Sequence, residues 1–373
     1  MTSRIVGALV VVLMVGAVWF FTHSNSTSSS IAPGGIGAAM GVTKAREKVM
    51  VRGYIGGEKV GLMQDAKLLE ILERKYGISL TADRRGSLQM VTTESLEGID
   101  FIWPGSQTQV EVFHRNGRTA MAEEVLFVSP IVIFSWDIPQ AGLTKSGIVR
   151  VENGTYYISD LPRLAKAIAE RSKWRDLGVT ELFGSIKITF TDPQKSNSGA
   201  QYLALMATVL SGGDALTSAD VAAVAPKIKS MIDAQGMLPA SSGDLFSQYL
   251  KQGVGAFPLV AGYENQLIEF AVENPDFAKQ IQAKLRIMYP VPTVWSTHPM
   301  IALSKNGRRL LEAMRDPEIQ AIAWTAHGFR TEKATITSAT VPGLPNLPSN
   351  IIAVVPMPPV EVLEQLLPAT SSN

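Results

Sequence analysis

The chain has 373 residues, 46% hydrophobic and 18% charged, which suits two globular domains or one large one. A net charge of +1, without any block of like charge, leaves no nucleic-acid footprint. The absence of cysteine excludes disulfides, thiolate metal sites, thiol nucleophiles and a lipid-modified N-terminal cysteine.

Met1-Thr2-Ser3-Arg4 precedes Ile5 to Phe21, 17 apolar or small residues without a charge. That is long for a signal-peptide core and just long enough to span a bilayer. Residues 1–21 therefore read as a signal peptide or a membrane anchor. The charge bias places the N-terminus inside and the body outside the cytoplasm. Residues 22–48 are Ser- and Gly-rich over most of their length and read as a flexible linker.

Val49 to Ile55 alternates and is rich in β-formers, ending at Gly56-Gly57. Asp65 then caps a helix that closes at Gly77. Ile78-Ser79-Leu80 resumes as a strand, and a helix opens near Gly86-Ser87. Asp100 to Trp103 is a short buried-type strand ending at Pro104-Gly105-Ser106. Strand, helix, strand, helix, strand argues for a parallel sheet covered by helices. The second region repeats this order. Asp160 with Pro162 opens a helix, and Ser185 to Phe190 reads as a strand. Apolar residues at helical spacing follow from Gln201. Further helices are expected from Ser218, Ser242, Tyr263, Pro275, Lys305 and Asp316, with strands over 254–260 and 299–303. From Thr340 the chain is Pro-rich, with a short helix over 360–366.

The segment Thr191-Asp192-Pro193-Gln194-Lys195-Ser196-Asn197-Ser198-Gly199 joins a strand to a helix start. Unpaired N–H groups and a partial positive charge there suit an anion or a polar oxygen. Ser196 or Asn197 capping its own helix is the alternative use. Other strand ends carry similar turns: Gly56-Gly57, Gly86-Ser87, Gly105-Ser106 and Gly262-Tyr263. In open α/β sheets ligands bind beyond such ends. The candidate ligand-binding residues are Gly57, Ser87, Ser106, Ser196, Asn197, Ser198 and Tyr263.

Taken in order, several segments carry a family resemblance. They are Val51 to Gly57, Lys75-Tyr76-Gly77-Ile78, Arg85-Gly86-Ser87, Ser129-Pro130-Ile131-Val132, Thr191-Asp192-Pro193 with Ser196 to Gly199, and Gly262-Tyr263-Glu264. The chain resembles an extracellular solute-binding protein of the two-lobed periplasmic type, nearest the phosphate, sulfate and molybdate binders. The resemblance implies a type II α/β fold with ligand closed between two lobes. Mapped here, lobe one is 49–130 plus 293–340, lobe two is 131–292, and 341–373 is a Pro-rich tail. It implies capture of a small polar or anionic ligand for an ABC-type uptake system, with a membrane permease as partner, no cofactor and no metal. Two departures stand out. Gly56-Gly57 replaces a hydroxyl common in related anion binders, and Glu264 beside Tyr263 would repel a dianion unless it points away.

A membrane-tethered sensor or assembly factor on the same fold is one alternative. A secreted hydrolase is another, but G-x-S-x-G, H-E-x-x-H, G-x-G-x-x-G and Walker motifs are all absent.

Overall fold

The computed structural model describes residues 47–213, 215–331, 343–344, 347–351 and 353–369. The expected N-terminal helix, and the linker apart from Glu47 and Lys48, lie outside the described residues. Among the described residues no helix is long and apolar enough to cross a membrane.

The body is a two-lobed α/β structure. The first sheet begins with β1 (Val49–Ile55), followed by α1 (Val60–Gln64) and α2 (Ala66–Tyr76). Asp65 caps α2 by accepting from Lys67 N at 2.8 Å and Leu68 N at 2.9 Å. Gly77 ends the helix at φ 61°, a left-handed conformation that costs glycine little. Next come β2 (Ile78–Arg84), α3 (Ser87–Thr92), β3 (Phe101–Trp103), α4 (Gln107–Arg115) and β4 (Ala122–Val125).

The chain then crosses to the second sheet on β5 (Ser129–Trp136), buried along almost its whole length. There follow α5 (Asp137–Lys145), β6 (Val149–Glu152), β7 (Thr155–Ile158) and α6 (Leu161–Ala169). Helix α7 (Asn197–Ser211) is buried on every side from Asn197 to Val209. It is therefore a core helix, not an amphipathic one. Helices α8 (Ser218–Asp233) and α9 (Ser242–Ala256) precede β8 (Leu259–Tyr263), α10 (Glu264–Glu273), α11 (Ala278–Lys284) and β9 (Leu285–Pro290). The return runs through β10 (Trp295–Ser296) and β11 (Pro299–Ala302) to α12 (Lys305–Ala313), α13 (Pro317–Thr325) and finally α14 (Val360–Ala369).

The first sheet has the order β2-β1-β3-β11-β4 and the second β10-β5-β9-β7-β6, with β8 also paired to β5. Strands β1, β2 and β3 are parallel, as the alternation of strands and helices implies. The remainder of the first sheet corrects that expectation. Strand β11 runs antiparallel to both β3 and β4, because it re-enters the sheet from the far lobe. In the second sheet β5 is antiparallel to β8 and β9 for the same reason.

Two elements differ from the sequence reading. Residues 185–190 are extended but make only isolated bridges, Lys173↔Ser185 and Thr189↔Val260. Two of their backbone groups bond elsewhere: Ile186 N donates to Ser172 O, and Gln235 Nε2 donates to Ile188 O. The stretch 254–260 divides instead of forming one strand. Helix α9 continues past a non-helical Gly253 to Ala256, and β8 starts only after Pro258.

Among the described residues two strands, β5 and β10, lie where the chain passes between the lobes. Besides β5 and the return through β10, Val128 and Arg330 exchange backbone hydrogen bonds of 2.8 and 3.0 Å. Arg330 is buried and grips the Glu264 carboxylate with Nε and Nη2, the latter at 2.6 Å. Tyr289 Oη donates to the same carboxylate at 2.7 Å. Arg330 Nη2 also donates to Pro348 O at 2.8 Å, which ties the C-terminal segment to the hinge. That segment then pairs with the chain at Thr293, through Thr293 N to Ala353 O at 3.1 Å and Val355 N to Thr293 O at 2.9 Å. Val362 and Leu366 of α14 end in the core of the second lobe. The tail is thus an ordered strap at its described residues.

Removing one partner of a buried, hydrogen-bonded ion pair leaves an uncompensated charge in a medium of low dielectric. Arg330→Met is expected to cost about 3–5 kcal/mol in urea unfolding. The Arg330→Met/Glu264→Leu double variant is expected to recover most of that loss.

Candidate functional site

The parallel strands of the first sheet end together, at Ile55, Arg84 and Trp103. The loops that follow carry Gly57, Ser87 and Ser106. In the second lobe, the extended segment before α7 runs parallel to β8, so Ser196, Asn197 and Tyr263 emerge together. The two sets of strand ends face one seam. A cleft of about 480 Å³ lies there. Its walls include Gly57, Ser87, Ser196, Asn197 and Tyr263, so five of the seven expected residues line it.

Ser106 and Ser198 do not. Ser106 is buried behind the cleft and borders a separate groove beside Trp295 and Pro356 to Pro359. Ser198 Oγ bonds inward, 2.9 Å from Thr191 Oγ1 and 3.2 Å from Ser196 Oγ.

Asn197 is the centre of the seam. Its Nδ2 donates to Tyr263 Oη at 3.0 Å, within its own lobe. Its Oδ1 lies 3.0 Å from Ser106 Oγ of the other lobe. Ser106 Oγ is also 2.7 Å from Gln109 Oε1, and its single proton serves one acceptor at a time. Gly105 makes room for this bridge, since a Cβ there would stand 2.5 Å from Asn197 Nδ2. Neither Ser196 nor Asn197 places its side chain on the open end of α7. The capping alternative is therefore not what these residues do. Gly57 serves packing of a similar kind: a Cβ there would lie 2.7 Å from Ser241 Oγ across the seam. Ser87 Oγ accepts from Gly105 N at 3.0 Å and so braces its own lobe.

Charge is arranged in layers. Glu58 lines the cleft, and its carboxylate pairs with the fully buried Lys59 beneath it. Burial works against the Glu58 charge, but Lys59 and then His298 outweigh it and hold the carboxyl well below the usual range. His298 is fully buried, with Nδ1 3.5 Å from Glu58 Oε1. Burial, reinforced by Lys59, depresses its pKa to about 4, so the ring is neutral. At the rim Arg84 Nη1 meets Asp244 Oδ1 of the other lobe at 2.9 Å, both side chains half-exposed. Such a pair adds little stability and more orientation. Glu264, suspected of facing the ligand, points into the hinge toward Arg330.

The sequence reading missed Glu58, Lys195, Ser241 and Asp244 as cleft residues. Ser241 and Ser242 carried a usable signal, a pair of hydroxyls opening a helix. Lys59 and Glu58 carried none, because adjacent charges in sequence read as surface. Among the described residues no group of three His, Asp or Glu side chains could hold a metal ion.

A second cross-lobe contact lies on α10. Asn265 Nδ2 donates to Glu58 O at 3.2 Å. Buried His327 lies between Glu269 Oε1 at 2.5 Å and Asp65 Oδ2 at 3.2 Å, one carboxylate from each lobe. Glu273 adds a third, more distant negative charge. Burial opposes the His327 charge, but Glu269 and Asp65 outweigh it and raise its pKa above 6.5.

No protein-family model matches the chain, and no curated protein does. Several solved structures match its fold. The sulfate-binding protein SubI from Mycobacterium tuberculosis H37Rv is 10% identical, with a TM-score of 0.53 over 85% of this chain and 96% of that one. The apo ferric ion-binding protein A of Pasteurella haemolytica is 14% identical, with a TM-score of 0.54 over 86% and 95%. Iron-bound HitA from Pseudomonas aeruginosa is 11% identical, with a TM-score of 0.53 over 87% and 100%. The chain has a two-lobed, periplasmic-binding-protein-like fold. The sulfate and ferric proteins match it equally well, so the likeness does not single out the oxyanion branch.

The pH dependence of stability follows from the two buried histidines. His327 has a raised folded pKa, so its contribution is complete below about 6.5 and is lost as pH rises through the folded value. His298 has a depressed one, so acidification from 6.5 towards 4 favours the unfolded chain. Thermal unfolding is expected to show a falling midpoint on both sides of pH 6.5. His327→Gln should flatten the alkaline limb and leave the acid limb in place.

Proposed function

We propose that this chain is an extracytoplasmic solute-binding protein that captures a small polar or anionic ligand between two lobes. It would serve an ABC-type uptake system, with a membrane permease as partner. In this reading lobe one is 49–130 with 293–340, and lobe two is 131–292. Residues 1–21 act as signal peptide or anchor. The observation that carries the reading is the cleft at the seam, walled by strand ends and helix starts from both sheets. Hinge closure around a ligand is the mode of action that such a seam supports. Binding, not turnover, fits a cleft with no activated nucleophile and a neutral, buried histidine behind its wall.

Asn197 has a double role in this reading. Its amide joins the lobes when they meet, so closure and capture draw on one side chain. Losing a neutral buried hydrogen-bonding group costs about 1–3 kcal/mol, or roughly 5- to 150-fold in affinity. Asn197→Ala is expected to weaken ligand binding by that factor and to enlarge the ligand-bound protein in small-angle scattering. Ser87→Ala should weaken binding without this change in size. Unchanged affinity in both variants, measured by titration calorimetry with a ligand found by thermal-shift screening, would remove the site.

A further inference from the structure

We infer that the cleft takes a polyhydroxylated organic anion of sugar size, an acidic or phosphorylated monosaccharide, and not a bare oxyanion. The inference rests on the capture reading above and adds the class of ligand.

Size is the first argument. The lobes already touch across the seam. Ser106 Oγ reaches Asn197 Oδ1 at 3.0 Å, Arg84 reaches Asp244 at 2.9 Å, and Asn265 reaches Glu58 O at 3.2 Å. Gly57 has no room for a side chain against Ser241. With these contacts made, the space between the lobes is still near 480 Å³. A tetrahedral oxyanion of five heavy atoms displaces the volume of two or three waters, about 60–90 Å³. Sites for organic ligands span roughly 300–1,000 Å³.

The second argument is where the donors go. A dehydrated dianion requires many convergent donors to offset its lost hydration. Here Asn197 and Ser106 bond each other, and Ser198 turns inward. The inner polar groups form a seam and not an anion cage.

The third argument is the charge that remains. Glu58 puts carboxylate oxygens in the wall, their charge balanced by Lys59 beneath, and these oxygens accept hydrogen bonds but offer a bare dianion no donor. Ligand hydroxyls donate to the same carboxylate. Gln89 and Ser242 add an amide and a hydroxyl suited to further hydroxyls. Arg85, which lines the cleft, has no carboxylate partner among the described residues, and its guanidinium stacks 3.8 Å from the Tyr54 ring centroid. It is placed for a single anionic group. The starts of α7 and α9, both without a side-chain cap, add partial positive charge to the same space.

The test is titration calorimetry on the full chain in detergent. The probes are sulfate, phosphate, glucose, glucose 6-phosphate and glucuronate. The sugar phosphate or the sugar acid should bind at least about 100-fold more tightly than sulfate or phosphate, and at least about tenfold more tightly than glucose. Arg85→Gln should weaken that binding about tenfold while leaving the melting temperature of the free protein unchanged. Sulfate or phosphate binding as tightly as the sugar anions would overturn the ligand class and leave solute capture standing. Tightest binding by glucose would do the same. No heat from any of the five probes would overturn the ligand class, while solute capture stands or falls on the Asn197 and Ser87 variants with a screened ligand.

Discussion

A carboxylate and a guanidinium, shut away from water beside the crossing between the lobes, tie the two halves of this molecule to each other. Glu264 opens α10 of the second lobe, and Arg330 follows α13 of the first. Each charge is intolerable in that place without the other, so the pair fixes the register of the lobes more than it adds stability. Its position also settles the electrostatics of the cleft. With Glu264 occupied in the hinge, Glu58, paired with Lys59, is the carboxylate nearest Tyr263 in the cleft wall. The strap then joins this arrangement through carbonyl groups that accept from the same guanidinium.

Much of this was legible in the sequence. Strand ends marked by glycine and hydroxyl residues pointed to one edge of each sheet, since the carboxyl ends of parallel strands must share a side. Helix limits followed from local chemistry: Asp65 with Gly77, Asp160 with Pro162, and Asp316 with Pro317 each needed only their neighbours. What stayed hidden was set by partners distant in the chain. Antiparallel pairing of β11 and β5 depends on the route between lobes, which no local pattern encodes. The backbone of 185–190 lost its strand ladder to a loop and a glutamine side chain.

The candidate site shows the same division. Five of the seven polar positions expected at strand ends and helix starts line one cleft, and local pattern did not reveal how they bond one another. Asn197 bonds Tyr263 within its own lobe and Ser106 across the seam, so part of its hydrogen-bonding capacity is already in use. Burial of Lys59 and His298 beneath the wall was invisible as well, because a Glu-Lys doublet has no periodicity to betray it. The result is a cleft whose inner face is a contact between the two lobes and whose outer walls carry charged side chains.

The strap has a consequence for how the molecule is made. Leu347, Val362 and Leu366 belong to the hydrophobic interior of the second lobe, although most of that interior is encoded far upstream. Contacts of such long sequence separation form late and slow the search for the native state. A chain folded without this strap would leave part of that apolar interior exposed, a surface prone to non-native association.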